Sequence, residues 1–350
     1  MKAVRFEGKE KMSVAELPVP ECGDGEVLLK VAACGICGGD ARSFFSGDRF
    51  ASQGRIPGHE AAGVVVGVGQ GVSTWRTGDR VALAAEVHCH QCWYCRRELF
   101  QLCADLKILG KHMDGGLADY MLLTRAILER GVVNRVPAGL SLLHAAVSEP
   151  ICSVLASHEE LGIEAGETVA VIGSGPMGIL HFELLRARDA KTILIDLSAG
   201  RLERARRDFG AAWTIDASKE DPVARVGEIT GGIGADVAIT AAPSAAAVAQ
   251  SIRLVRKRGR IGLFGGVPAD QAQVALDVNR IHYDELRMLG NFSYHPRRHR
   301  EALELLASGR IRCERLITRY PIEETGKGLY DIRDGKVLKA LVIPNNGELL

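Results

Sequence analysis

Residues 169–178, VAVIGSGPMG, leave this chain few folds to adopt. An apolar run enters Gly173-x-Gly175-x-x-Gly178, and an apolar helical pattern, ILHFELLRA, follows at once. Asp196 then closes the next apolar run, LID, 18 residues after the last glycine. Strand, glycine turn, helix, strand and acid in that order make a βαβ unit of the dinucleotide-binding kind. Gly173 permits the tight turn, Gly175 lets a pyrophosphate approach the backbone, and Gly178 lets helix and strand pack closely. Ser174, Pro176 and Met177 complete the loop. The anion would rest over the helix N-terminus, where unpaired N–H groups and the helix dipole favour negative charge. A glycine-rich turn in an ordinary α/β domain is the plainer reading, and the flanking elements weigh against it. Asp196 is placed to accept hydrogen bonds from the adenosine ribose diol and to repel a 2′-phosphate, which favours NAD over NADP. Arg201, on the next helix, stands close enough to complicate that preference.

The periodicity around this unit predicts six strands, at 168–172, 191–195, 212–215, 235–240, 259–264 and 286–290, with amphipathic helices between them, such as 201–211. Alternating strands and helices imply a doubly wound parallel sheet, a Rossmann domain over 155–290. Residues 1–85 read differently: KAVRF, VLLKVAA and GVVVGVG are short strands punctuated by Gly and Pro. The helix at 296–311 and the late strand KALVIP suggest that the chain returns to this first domain. The expected fold is α/β, with a β-rich domain from 1–154 and 291–350 beside the Rossmann domain.

Composition narrows the function classes. The chain has 350 residues, 44 Lys and Arg against 43 Asp and Glu, and is 47% hydrophobic. Near-neutral charge offers no basic field for nucleic acid or anionic lipid. The N-terminal residues lack an export signal, and no apolar stretch is long enough for a membrane span. A cytoplasmic protein is expected, with no nucleic-acid or membrane partner. In that compartment the nine cysteines point to metal rather than disulfides.

Four of them, Cys89, Cys92, Cys95 and Cys103, follow C-x2-C-x2-C-x7-C. Four thiolates in one lobe (88–104) make the closed tetrahedral site of a structural zinc, whereas x2 spacing is awkward for disulfides. A second set is scattered: Cys37 and Asp40 in CGICGGD, His59 and Glu60 in PGHEAAG, and Glu149 in SEPICS. Each is unremarkable alone, and Cys34-x2-Cys37 lacks the context of a redox pair. Together they offer S, N and O donors, the set for a catalytic zinc with an open position.

On these motifs the chain resembles the zinc-containing medium-chain dehydrogenases over essentially its whole length. The polyol (sorbitol-like) and threonine dehydrogenase branch is the nearest. CGICGGD, PGHEAAGVVVGVG, GDRVAL, the four-cysteine lobe, SEPICSVLASH, VIGSGPMG and GNFSYHP, in this order, carry the resemblance. It implies a GroES-like catalytic domain, a Rossmann domain, and two zinc ions per chain, one catalytic and one structural. It also implies Cys37, His59 and Glu149 as catalytic zinc ligands, Glu60 as a carboxylate near the metal, and Asp40 as an acceptor for the His59 ring. Cys152 is a rival for the third position, and Cys34 a buried small residue.

One departure stands out: Gly39 and Arg42 occupy positions where such enzymes usually carry a hydroxyl and often a histidine. The usual exit for the substrate proton is therefore missing.

The implied activity is hydride transfer between a secondary alcohol (a polyol, sugar or cyclitol) and NAD, giving a ketone. Zinc lowers the pKa of an oxygen bound to it, which favours that chemistry. Alternatives are a threonine-type or sugar-phosphate dehydrogenase or, in another class, a catalytically impaired nucleotide-binding sensor. The apolar stretch near 286–292 resembles the family's dimerising edge, so a homodimer or homotetramer is expected.

Overall fold

The computed structural model describes residues 1–47 and 54–350. The chain forms two compact units. One holds Met1–Cys152, Tyr294–Gly309 and Leu316–Leu350, and the other holds Ser153–Ser293 and Arg310–Arg315.

The first unit is a β-rich body. A hairpin pairs β1 (Lys2–Gly8) with β2 (Lys11–Glu16). The larger sheet contains β3 (Val27–Gly35), β4 (Glu60–Val68), β5 (Arg80–Val87), β6 (Lys107–Ile108), β7 (Tyr120–Leu123) and β8 (Gly131–Arg135). Valine, alanine and leucine alternate inward along these strands and meet in one core that includes Val31, Leu29, Val65, Leu83, Leu117 and Leu123. In the antiparallel β3–β4 pair, Gly35 lies opposite Glu60, so the end of β3 stands beside the start of β4. Cys37 follows the first strand, and His59 precedes the second.

The second unit carries β9 (Thr168–Ile172), β10 (Lys191–Asp196), β11 (Trp213–Asp216), β12 (Ala235–Thr240), β13 (Val255–Leu263) and β14 (Arg287–Gly290). All pair in parallel, in the order β11-β10-β9-β12-β13-β14. That is the doubly wound order, with the first strand of the unit at the point where the winding reverses. Isoleucine, valine and alanine from these strands and the covering helices form its core. The helix expected over 201–211 is shorter: Ala199–Arg204 is α-helical, and Ala205–Phe209 widens into a π turn that ends at left-handed Gly210.

After the second unit the chain adds β15 (Ile317–Pro321) and β16 (Lys339–Ile343) to the first unit's sheet. β16 pairs with β3, Leu341 opposite Gly35. The strand order β16-β3-β4 therefore gathers three chain segments at one sheet end. Among the described residues, no helix is long and apolar enough to cross a membrane.

Candidate metal and dinucleotide sites

The three strand ends bring the scattered residues together. Cys37 caps the helix Gly38–Ser46: its Sγ accepts from Gly39 N at 3.3 Å, and Asp40 Oδ2 accepts from Cys37 N at 2.9 Å. This reciprocal cap fixes the thiol at the helix N-terminus. Ligand atoms of Cys37, His59 and Glu60 lie within 4.8 Å of one another. The three are separated by one sequence gap of over twenty residues, yet the β3–β4 register closes it.

Glu60 is 1% exposed, and its carboxylate needs a counterion there. Lys339, at the start of β16, provides it. Its Nζ donates to Glu60 Oε1 at 2.5 Å and to Ile36 O at 3.1 Å. Burial opposes the lysine's charge, but Glu60 and Cys37 outweigh it and raise its pKa. Gly35 makes the approach possible, because a Cβ there would stand 2.0 Å from Glu60 Oε2.

Asp40 is 2% exposed and faces the His59 ring, with Oδ1 3.6 Å from Nδ1. That spacing is beyond a hydrogen bond, and His59 Nδ1 is buried without a hydrogen-bond partner. Burial works against charging His59, but the Asp40 carboxylate and the Cys37 thiol hold its pKa well above the ordinary value.

Glu149 is not in the 4.8 Å group, yet its charge acts on the same residues. Burial, joined by the Glu60 charge, lifts its pKa to about 7 against the opposing pull of His59, Tyr294 and Lys339. The Tyr294 hydroxyl donates to Glu149 Oε1 at 2.7 Å and accepts from Ala85 N at 3.0 Å. Just before Glu149, Ser148 Oγ lies 2.8 Å from buried His299, which also meets Asn134 at 2.9 Å. Cys152 turns its Sγ back onto Ser148 O at 3.2 Å, which occupies it within its own helix. Phe44 is a core residue, packed edge-to-face against Phe45 and Tyr330 and tilted against Phe6. Sulfur, imidazole and carboxylate donors, the last two buried and the thiol half-buried, are the chemistry of a zinc site that keeps an open position.

The second cluster is Cys89, Cys92, Cys95 and Cys103, again within 4.8 Å. The Sγ atoms of Cys89 and Cys95 are 3.9 Å apart, and all nine cysteines are free thiols. Tetrahedral zinc with Zn–S bonds of about 2.3 Å sets its sulfurs about 3.8 Å apart, so the geometry suits that ion. Backbone N–H groups already point at the sulfurs. Ala104 and Cys95 donate to Cys92, whose thiol is pulled down to about 6. Burial pushes Cys95 up to about 12. The lobe's aromatic residues pack less than their composition suggests: Trp93 is 58% exposed, with the Arg97 guanidinium 3.9 Å above its ring.

In the second unit, Gly173 adopts φ +105°, and the helix Pro176–Ala187 starts from Gly175. A Cβ on Gly178 would stand 1.8 Å from Gly173 O, so only glycine lets the helix approach the loop. A Cβ on Gly175 would meet nothing within 4 Å. The loop therefore has open space above its second glycine, as a pyrophosphate cradle requires. Asp196, at the end of β10, accepts at Oδ2 from Ser174 N (2.7 Å) and Oγ (2.8 Å), and at Oδ1 from Ser198 N (2.9 Å). Arg201 Nη1 lies 4.0 Å from the same carboxylate.

Two contributors carry little or no signal in the sequence. Lys339 has one, a lysine opening the otherwise apolar strand KALVI. Tyr294 is an aromatic residue of GNFSYHP that could line a site or pack in a core; its tie to Glu149 spans 145 residues and has no local trace.

Comparison with known proteins agrees with this geometry. Residues 23–130 match the family of alcohol dehydrogenase GroES-like domains, and 176–308 match the zinc-binding dehydrogenases. D-arabitol-phosphate dehydrogenase of Enterococcus avium is 32% identical, over 97% of this chain and 96% of its own. Sorbitol dehydrogenase of Bacillus subtilis is 31% identical, over 99% and 98%. A chain of Sinorhizobium meliloti 1021 assigned as a zinc-binding dehydrogenase, solved with NADP, superposes with a TM-score of 0.90. It is 34% identical, covering 98% of this chain and 99% of that one. The chain belongs to the zinc-binding medium-chain dehydrogenases, GroES-like plus Rossmann enzymes that act on CH–OH donors, and within them to the polyol branch.

Proposed function

We propose that this enzyme oxidises the secondary alcohol of a polyol, sugar or cyclitol to a ketone, with NAD as the hydride acceptor. One observation carries the site assignment: half-buried Cys37 meets buried His59 and Glu60, from a segment over twenty residues away, in one cluster of zinc-ligand types. Cys37, His59 and Glu149 hold the catalytic zinc, with Glu60 beside it. Cys89, Cys92, Cys95 and Cys103 hold a structural one. When bound, zinc supplies a Lewis acid for the substrate oxygen, and the nicotinamide supplies an acceptor for hydride.

The chain's own residues hold those groups in place. The reciprocal cap of Cys37 and Asp40 orients the thiol, Lys339 holds the Glu60 carboxylate, and Tyr294 fixes one oxygen of Glu149. Burial of His59, Glu60 and Glu149 strengthens the charges they carry. The loop 173–178 holds the pyrophosphate, with Ser174, Pro176 and Met177 around it. Asp196, helped by Ser174, meets the adenosine ribose. An acid at that strand end disfavours a 2′-phosphate, which supports NAD, while Arg201 and the NADP-bound relative pull the other way. The nine free thiols support a cytoplasmic setting. Exposed Tyr283 and Phe292, flanking edge strand β14, support a homodimer or homotetramer.

The test is NADH formation by the zinc-replete enzyme across polyols, cyclitols and aldoses, repeated with NADP. Turnover with NAD that is lost in Cys37→Ser or His59→Ala, while NADH binding persists, is expected. Near wild-type rates after loss of the active-site metal would sink the assignment. Higher kcat/KM with NADP would reverse the cofactor choice, and Asp196→Ala should relax whichever preference is found.

A further inference from the structure

Among the described residues five histidines are buried, and four of them, His59, His88, His158 and His181, each leave a ring nitrogen without a partner. His299, fully buried in the helix Arg297–Ala307, uses both of its nitrogens. The sense of each bond follows from the proton count. Ser148 Oγ donates its one proton to Ala145 O at 2.6 Å. The hydroxyl therefore accepts from His299 Nε2 at 2.8 Å, and Nδ1 accepts from the Asn134 side-chain amide at 2.9 Å. Burial pulls the ring's pKa down to about 3, which agrees with a single neutral tautomer. A phenyl ring would fill the same space, but only the imidazole supplies a donor for Ser148 and an acceptor for Asn134.

This chain of bonds ends where Glu149 begins. Ser148 opens the helix Ser148–Glu160, and Glu149 is its second residue. The Ser148 hydroxyl ties that first turn to the preceding helix Leu142–Ala145, and His299 ties it to a segment 151 positions away. The same returning segment holds the carboxylate itself, through the Tyr294 hydroxyl. Glu149 is thus gripped twice, at its side chain and at the residue before it. We propose that His299 is a positioning residue for the catalytic metal: acting through Ser148, it fixes where the first turn of this helix delivers the Glu149 carboxylate. This rests on the reading of Glu149 as a zinc ligand in the dehydrogenase site above, and deepens it.

The test reads zinc at this site without turnover. The full chain is held in buffered free zinc, and protection of Cys37 from iodoacetamide is followed by peptide mass mapping. The Cys89 peptide reports the four-cysteine lobe in the same sample. Half-protection of Cys37 should need about tenfold more zinc in His299→Phe, the low end of what a group that orients a metal ligand contributes. The Cys89 peptide should not shift. His299→Gln, which keeps an amide donor, should recover part of the loss. Ser148→Ala should lose as much as His299→Phe, and the double variant no more, because both break one link. In a Glu149→Gln background the His299 effect should disappear. Should His299→Phe not fold, Ser148→Ala and His299→Gln carry the same comparison. A purely structural role would lower the urea midpoint and leave Cys37 protection unmoved. That result, or a His299 effect undiminished in Ser148→Ala or Glu149→Gln, would overturn the proposal. A His299-dependent zinc affinity in a protein that oxidises no alcohol would keep the positioning role and reject the dehydrogenase reading. Alcohol oxidation with zinc affinity indifferent to His299 would do the reverse.

Discussion

Glu149 shows how one side chain couples this site to pH. Burial holds its proton to about 7 when no metal is bound. Its folded pKa lies above that of a free glutamate. Its contribution to stability is therefore present in acid and lost as pH rises through about 7. Metal binding has the opposite sign, because a ligating carboxylate must be ionised. If Glu149 ligates zinc, affinity at this site should weaken by about tenfold per pH unit below 7 through this residue alone. Glu149→Gln should then lower the slope of log affinity against pH by about one, read by competition with a chromophoric chelator; an unchanged slope would remove Glu149 from the ligand set. Tyr294→Phe acts on the same titration. It deletes a hydrogen bond that lowers the Glu149 pKa, so the midpoint should move above 7. It also leaves Ala85 N–H without its acceptor, at a cost of about 1–3 kcal/mol in urea unfolding.

At the scale of elements, the glycine loop between β9 and its helix separates a packing role from a binding role. Gly178 has Gly173 O where a Cβ would be, whereas Gly175 has open space. Gly178→Ala should cost about 1–3 kcal/mol in stability, because backbone must move to admit the methyl group. Gly175→Ala, at an ordinary φ of −72°, should leave stability within about 0.5 kcal/mol while weakening NADH binding. Fluorescence titration with NADH beside urea unfolding distinguishes the two variants. Undiminished NADH affinity in Gly175→Ala would mean that the pyrophosphate does not lie over this loop.

Across the molecule, the ion pair of Lys339 and Glu60 joins residues 279 positions apart and ties β16 to β4 through β3. Both partners are buried, so removing one strands the other. Lys339→Met should destabilise the first unit by about 3–5 kcal/mol, and adding Glu60→Gln should recover part of that loss. Equal stability of wild type and Lys339→Met would show that the pair holds nothing together. Because the lysine's pKa is raised, this contribution should persist through neutral pH and be lost only as pH rises through that raised value.

Local order in the sequence determined the glycine loop, the parallel strands around it and the four-cysteine lobe. Each is a run of residues whose spacing already satisfies its geometry: period two in strands, three glycines at fixed offsets, thiols two and seven residues apart. The alternation at 168–290 could be read because each strand needs only its own apolar pattern to be recognised. Cys37, His59 and Glu149 carried no such local signal: their donor chemistry suggested a set, and family resemblance rather than spacing gave each its role. Tertiary structure decided the rest. Register between β3 and β4 brought Cys37 to His59 and Glu60, and the return of the chain as β16 delivered Lys339. Tyr294 reached Glu149 across 145 positions. The physical reason is the same in each case. A hydrogen bond or an ion pair acts over about 3 Å of space, and nothing in a linear chain reports which distant residues folding will bring that close.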